Sequence, residues 1–367
     1  MNFLLERSKF LKTDYLYFVI VGRVTHSVAD FAVMGVRSKK TFDIIIRDSL
    51  PSESLNGCYP ELNELLKQAN ERYDIEISRC CICAAGPVSR RRTHIILSNE
   101  DIVIDAKKIL DNSLLNKVIL VNDFEAIGYG LDILDMKTST ITLKHVGEDI
   151  TAGSTQYNTY AVIGAGAGLG MTIVPYDSVR HIHVPLPSEG GHIDFCPNDE
   201  FEMEFVRFLK EKDAIGESIH PEMERAISQK GLISIYEFVR RKRLYPETEE
   251  TRKIDALTGT EKISAIEVFS NRDETCRKAM DMFLKFYARA ARTLALMSEC
   301  YSGLFLFSRI GENRIVAEQD KFMAEFEKHD TKSQVFQKIP VYLITNKDIG
   351  LYGCCNVAAN FYNLGGG

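Results

Sequence analysis

Gly164-Ala165-Gly166-Ala167-Gly168-Leu169-Gly170 holds four glycines in seven residues, and the residues on either side of it decide the fold. Tyr160-Ala161-Val162-Ile163 leads in, and Met171-Thr172-Ile173-Val174-Pro175 leads out. Glycine lets backbone N–H groups turn inward and lets a phosphate come close. The spacing also matches the dinucleotide fingerprint, but that loop opens a helix and has an acid about 20 residues on. Apolar, β-branched residues on both sides predict strand, loop, strand. This disfavours a dinucleotide-dependent oxidoreductase and leaves two readings: a phosphate-holding hairpin, or a tight turn with no ligand.

Further out, residues 15–21 form a continuous apolar run, the pattern of a buried strand, with residues 29–36 as hairpin partner and 42–46 as a third strand. Leu62, Leu65, Leu66 and Ala69 share one face of a helix over 59–73. A strand over 75–85 stops at Gly86-Pro87, and another over 117–121 stops at Asn122-Asp123. Short strands are expected at 93–97, 304–307 and 341–344, and helices at 105–110, 124–134, 201–212, 232–242 and 350–363. Residues 265–300 read as mostly one long amphipathic helix, and the charged stretch 243–260 as a loop. Hairpins followed by alternating helices and strands, twice over, suggest two α/β domains around a cleft.

Three sets of polar residues offer chemistry. Asp123, at a strand's C-terminal end, could hold a sugar hydroxyl and accept its proton during attack on a phosphate. Asn122 beside it supplies a donor and an acceptor. The plainer reading of this pair is a helix N-cap. In Glu189-Gly190-Gly191-His192 the glycines allow a carboxylate and an imidazole to fold toward one point, and the alternative is a surface turn. Glu224 is by itself an ordinary helix-surface glutamate.

The 367 residues are natural for two domains. A net charge of −6 argues against a general nucleic-acid binder, and Arg90-Arg91-Arg92 reads as a solvated turn. No apolar run approaches the length of a membrane span, and the N-terminus lacks a secretory signal. The nine cysteines read as reduced, which points to the cytosol, and their spacing fits no zinc signature. His181 and His183 alternate on an apparent strand with no nearby partner in the sequence, and no metal site is assigned.

Asn122-Asp123-Phe124, the glycine loop and Glu189-Gly190-Gly191-His192-Ile193-Asp194-Phe195, in this order, resemble the bacterial-type glucokinase family of the hexokinase–actin–Hsp70 superfamily. Ala85-Gly86-Pro87 and Ser98-Asn99 match weaker family positions. The resemblance implies two ribonuclease-H-like (actin-like ATPase) domains around a central cleft, with residues 1–133 plus 350–367 forming the smaller and 134–349 the larger. It implies phosphorylation of glucose or a similar hexose at the 6-hydroxyl by Mg-ATP, with Asp123 as general base. Asn122, Asp123, Glu189, His192 and Glu224 would hold the sugar. Gly164, Gly166, Gly168, Gly170 and Ser27 would face the nucleotide. A homodimer or a larger protein assembly is in keeping with the family, in the cytoplasm, with no nucleic acid or membrane as partner.

The nucleotide side departs from the family pattern. Where the family reads Gly-Asp-Val-Gly-Gly-Thr, this chain has Gly22-Arg23-Val24-Thr25-His26-Ser27. Arg23 replaces the acid that organises Mg²⁺, and Asp30 stands where the family has arginine. Ala167 replaces a threonine, and Leu306-Phe307-Ser308-Arg309 replaces an apolar strand ending in paired glycines. A cation in place of that acid repels Mg²⁺. The expectation is a sugar-binding, glucokinase-like protein whose phosphoryl transfer is weak or lost. The alternative is a pseudoenzyme serving as a sugar sensor, a scaffold or part of an assembly.

Overall fold

The computed structural model describes residues 4–5, 11–25, 27–55, 58–97, 102–146 and 158–361. His26, Ser98-Asn99, nearly all of the polar stretch 147–158, most of the N-terminal leader and the glycine tail lie outside these residues. The chain divides into two compact units: Met1–Ser139 with Val179–Pro187 and Asn346–Gly367, and Thr140–Ser178 with Ser188–Thr345.

The first unit is built on a sheet of β1 (Leu4–Leu5), β2 (Tyr17–Val24), β3 (Val28–Ser38), β4 (Thr41–Pro51), β5 (Ile77–Ala84) and β6 (Lys117–Asn122). Their order is β1-β4-β3-β2-β5-β6. The β2-β3-β4 meander is antiparallel, and β5 and β6 add in parallel beyond β2. The central strand β2 is buried at every position from Phe18 to Gly22, as a strand covered on both faces must be. Successive residues point to opposite faces. Ile20 joins the core beneath helix α1 (Tyr59–Tyr73), while Val19 and Val21 join a second core with α2 (Asp123–Leu131) and the C-terminal helix Ile349–Asn360.

The second unit has a sheet that includes β7 (Thr140–Lys144), β8 (Thr159–Ala165), β9 (Leu169–Asp177), β10 (Gly303–Leu306) and β11 (Val341–Ile344), in the order β9-β8-β10-β11-β7. Helices α3 (Gln229–Lys242) and α4 (Glu274–Ser298) pack with it in one apolar core. The buried Tyr287 hydroxyl of α4 donates to the Ile163 carbonyl of β8 at 3.0 Å.

Two expectations are corrected. Residues 265–300 are mostly one helix, but its start is later than expected: Gly259–Phe269 is a separate helix, and α4 starts afresh where Asp273 accepts the Cys276 N–H at 2.9 Å. Asp273 is an N-cap, which sets a helix start. The stretch 243–260 contains the helix Glu249–Asp255, opened by a reciprocal cap between Thr248 and Thr251.

Candidate active site

The glycine loop joins two antiparallel strands, with Gly164 opposite Gly170 and Ala165 opposite Leu169. Strand, loop, strand is therefore the arrangement, and no helix follows the loop. The Gly166 N–H donates to the Gly168 carbonyl at 2.8 Å, closing the turn. The Leu169 N–H donates to Glu224 Oε2 at 2.8 Å. A Cβ on Gly168 would collide with that same carboxylate. Glycine at 168 leaves room for the Glu224 side chain to approach.

The Glu189–His192 segment packs directly on this loop. A Cβ on Gly191 would overlap the Leu169 carbonyl oxygen, an immovable backbone atom. Residues 193–195 then pair with 221–223 through Phe195 N–H to Pro221 O and Met223 N–H to Ile193 O, both 2.8 Å. The pairing brings a glutamate absent from the sequence-based set, Glu222. His192 Nδ1 lies 3.0 Å from Glu222 Oε2, and its Nε2 lies 3.7 Å from Glu189 Oε2. No local periodicity singles out Glu222, which stands at the N-cap of the short helical turn Met223–Arg225.

The hydrogen bond to Glu222 raises the His192 imidazole above its usual 6.5, with Glu224 and Glu189 adding charge. The stabilisation this gives is complete below the unfolded value and is lost as pH rises through the folded one. NMR titration is expected to find His192 titrating above 6.5, and Glu222→Gln should return it toward 6.5. An unchanged midpoint in that variant would remove Glu222 as the cause.

Next to the loop, the Phe307 and Arg309 N–H groups donate to Ile163 O and Ala165 O, both at 2.9 Å. The Ser308 hydroxyl, fully buried, donates to Ile310 O at 2.6 Å. The stretch that departs from the family's paired glycines thus runs along β8, held by two backbone hydrogen bonds and by the Ser308 hydroxyl.

Asn122 and Asp123 belong to the first unit. Asn122 is the N-cap of α2: its Oδ1 accepts the Phe124 N–H at 2.9 Å, and its Nδ2 donates to Gly86 O at 3.2 Å. Glu125 closes the capping box by accepting the Asn122 N–H at 3.3 Å. The Glu125 carboxylate is completely buried and paired with Arg92, whose Nη1 donates to it at 2.9 Å and to Leu120 O at 3.2 Å. Asp123 heads the same helix, half-buried, with one oxygen turned to the Phe124 N–H at 3.0 Å. The capping role of Asn122 is therefore present, and it fixes the direction in which the Asp123 side chain leaves the strand.

The hairpin β2–β3 carries the remaining residues. Arg23 and Asp30 are cross-strand partners in register. Arg23 Nε donates to Asp30 Oδ2 at 3.1 Å, and Nη2 also pairs with that oxygen. Arg23 Nη1 donates to Lys347 O at 2.6 Å. Ser49 and Arg47 hold the other Asp30 oxygen, and Arg47 reaches Asp348 at 3.0 Å. Burial alone would raise the Asp30 carboxyl, but the Ser49 hydroxyl and the Arg23 guanidinium outweigh it and hold it below its usual range. Arg23 and Asp30, the two residues that depart from the pattern the resemblance implies, thus form one ion pair. Ser27 lies exposed in the turn, its carbonyl accepting the Ser52 N–H at 3.2 Å.

These residues do not fit a magnesium ion at the hairpin. The position assigned to the organising acid holds a guanidinium engaged with protein acceptors, and it repels a divalent cation. At the glycine loop Glu224 already occupies the Leu169 N–H. Among the described residues no group of three or more His, Cys, Asp or Glu is placed to hold a metal. His183, read in the sequence as lacking a nearby partner, meets Asp132 at 2.6 Å through Nδ1.

Two mixed sheets with helices, one of them opening on a strand–glycine loop–strand hairpin, make up the actin-like ATPase fold. The same fold occurs in the crystal structures of glucokinase from an Antarctic psychrotroph (TM-score 0.74, 20% identity, 94% of this chain and 99% of that one) and of Balamuthia mandrillaris glucokinase in complex with glucose (TM-score 0.75, 20% identity, 93% of each chain). A glucokinase of Nostoc sp. (strain PCC 7120) is 28% identical over 320 residues, covering 83% of this chain and 89% of its own. The family model described as Glucokinase matches residues 27–361, and the chain belongs to the glucokinase family.

Proposed function

We propose that this protein binds glucose or a similar hexose through Asn122, Asp123, Glu189, His192 and Glu224, and that its phosphoryl transfer from Mg-ATP is weak or lost. The ion pair between Arg23 and Asp30 supports this reading most directly. It places a protein-bound cation where the family pattern has the acid that organises Mg²⁺. Asp123 is the group suited to accept the sugar 6-hydroxyl proton if transfer occurs. The neighbouring cap aims it, and the glutamates around His192 supply acceptors for further hydroxyls. A protein with this division of parts would serve as a sugar sensor or as a scaffold in the cytoplasm. The apolar length needed for a membrane helix is absent among the described residues.

Calorimetry with glucose and a coupled glucose 6-phosphate assay with Mg-ATP test both halves. Sugar binding is expected, with turnover far below a typical kcat of about 10 s⁻¹. The exchange Arg23→Asp with Asp30→Arg, which keeps the ion pair and reverses its sense, is expected to raise turnover. Turnover near the typical value that disappears in Asp123→Ala would defeat the reading, and so would absence of any sugar binding.

A further inference from the structure

Away from these residues, one hollow of about 180 Å³ in the first unit gathers cations. Arg91, Arg92, Lys107 and Lys117 stand around it over a floor that includes Val118 and Ile119, and among the described residues no acid lines it. Arg92 is committed to Glu125. The side chains of Arg91, Lys107 and Lys117 have no hydrogen-bond or ion-pair partner among the described residues. The nearest carboxylate in sequence, Asp105, is turned to cap its own helix, accepting the Lys107 N–H at 2.8 Å and the Lys108 N–H at 3.1 Å.

Three unopposed cations around one hollow, in a chain of net charge −6, repel one another. They would be relieved by a compact ligand of charge near −2. Arginine presents a fork that fits a tetrahedral oxyanion, and lysines add point charges. Thr93 also lines the hollow, its hydroxyl lying 3.1 Å from the Ser89 hydroxyl and 3.3 Å from His94 Nδ1. The volume suits a single phosphate group on a small molecule. We propose that this hollow is a binding site for a phosphate dianion, free or as the monoester of a small metabolite.

The site is linked to the helix that bears Asp123. The Arg92 guanidinium reaches from the wall of the hollow to Glu125, and Glu125 in turn accepts the Asn122 N–H. A phosphate drawing on Arg92 competes with Glu125 and loosens the cap of α2. The hollow is then a regulatory site, and its existence does not depend on whether the protein turns over ATP.

Titrating the full-length protein calorimetrically with inorganic phosphate, and separately with glucose 6-phosphate in saturating glucose, tests the assignment. Arg91 and Lys107 are exposed, so Arg91→Gln with Lys107→Gln should leave the fold intact. At least one of the two probes is expected to bind the wild type and to lose about tenfold or more in affinity in the double variant. Inorganic phosphate binding alone identifies the free ion as sufficient, and glucose 6-phosphate binding alone identifies the ester. Hydrogen exchange of the amides at 122–125 should change on adding the binding probe to the wild type only. If neither probe binds, or the double variant binds as the wild type does, the site is overturned. If binding leaves exchange at 122–125 unmoved, the link to α2 is overturned.

Discussion

Replacing Arg92 by methionine is expected to lower the unfolding free energy by about 3–5 kcal/mol, measured as a shift of the urea midpoint at unchanged slope. The reason is the burial of its partner. The Glu125 side chain is 0% exposed and that of Arg92 19%. Removing the cation strands a carboxylate in a low-dielectric interior, where solvation is costly. The double variant Arg92→Met with Glu125→Met should recover most of the loss, because two apolar side chains of similar size replace a charge pair at little net cost. Asn122→Ala should cost only about 1 kcal/mol, the usual value of an N-cap. If Arg92→Met costs no more than that, Glu125 is reached by water and the buried pair is not a structural keystone.

Gly353→Ala is expected to be of similar size, about 3 kcal/mol or more. Gly353 lies in the helix Ile349–Asn360 where it crosses α2, and a Cβ there would overlap the Ala126 carbonyl oxygen. The facing position is also a glycine, Gly130, whose Cβ would press on Ile349. Neither backbone can yield alone, because one side of the crossing is packed with Tyr129, Leu351 and Cys354, all buried. The two helices would be pushed apart. Since α2 opens on Asp123, glucose affinity should fall along with the melting temperature. A variant that melts earlier and binds glucose as before would show that the crossing does not position the sugar residues.

The glycine loop was legible because its flanks were: β-branched residues on both sides admit a hairpin and little else. The cap at Asn122 was legible for the same local reason. The missed parts depend on pairings between distant residues or on caps inside charged stretches. Glu222 gains a role only when residues 193–195 pair with 221–223. The Arg92–Glu125 pair joins a turn to a helix 33 residues later, and nothing near Arg92 forecasts it. The strand Thr140–Lys144 alternates small polar and apolar residues over five positions, too short for periodicity alone. The start of α4 was hidden because Ser270 to Asp273 interrupts an apolar stripe that resumes on the far side. The departures at Arg23 and Asp30 were visible one at a time. Register alone shows that they face each other.

That facing has an evolutionary consequence. Changing Arg23 alone to an acid would set two carboxylates against each other with 7% of the Asp30 side chain exposed, and changing Asp30 alone would do the same with two cations. Either step passes through a less stable protein before the second could rescue it. The pair therefore acts as a latch on the sequence: neither position accepts the opposite charge in a single substitution without loss of stability.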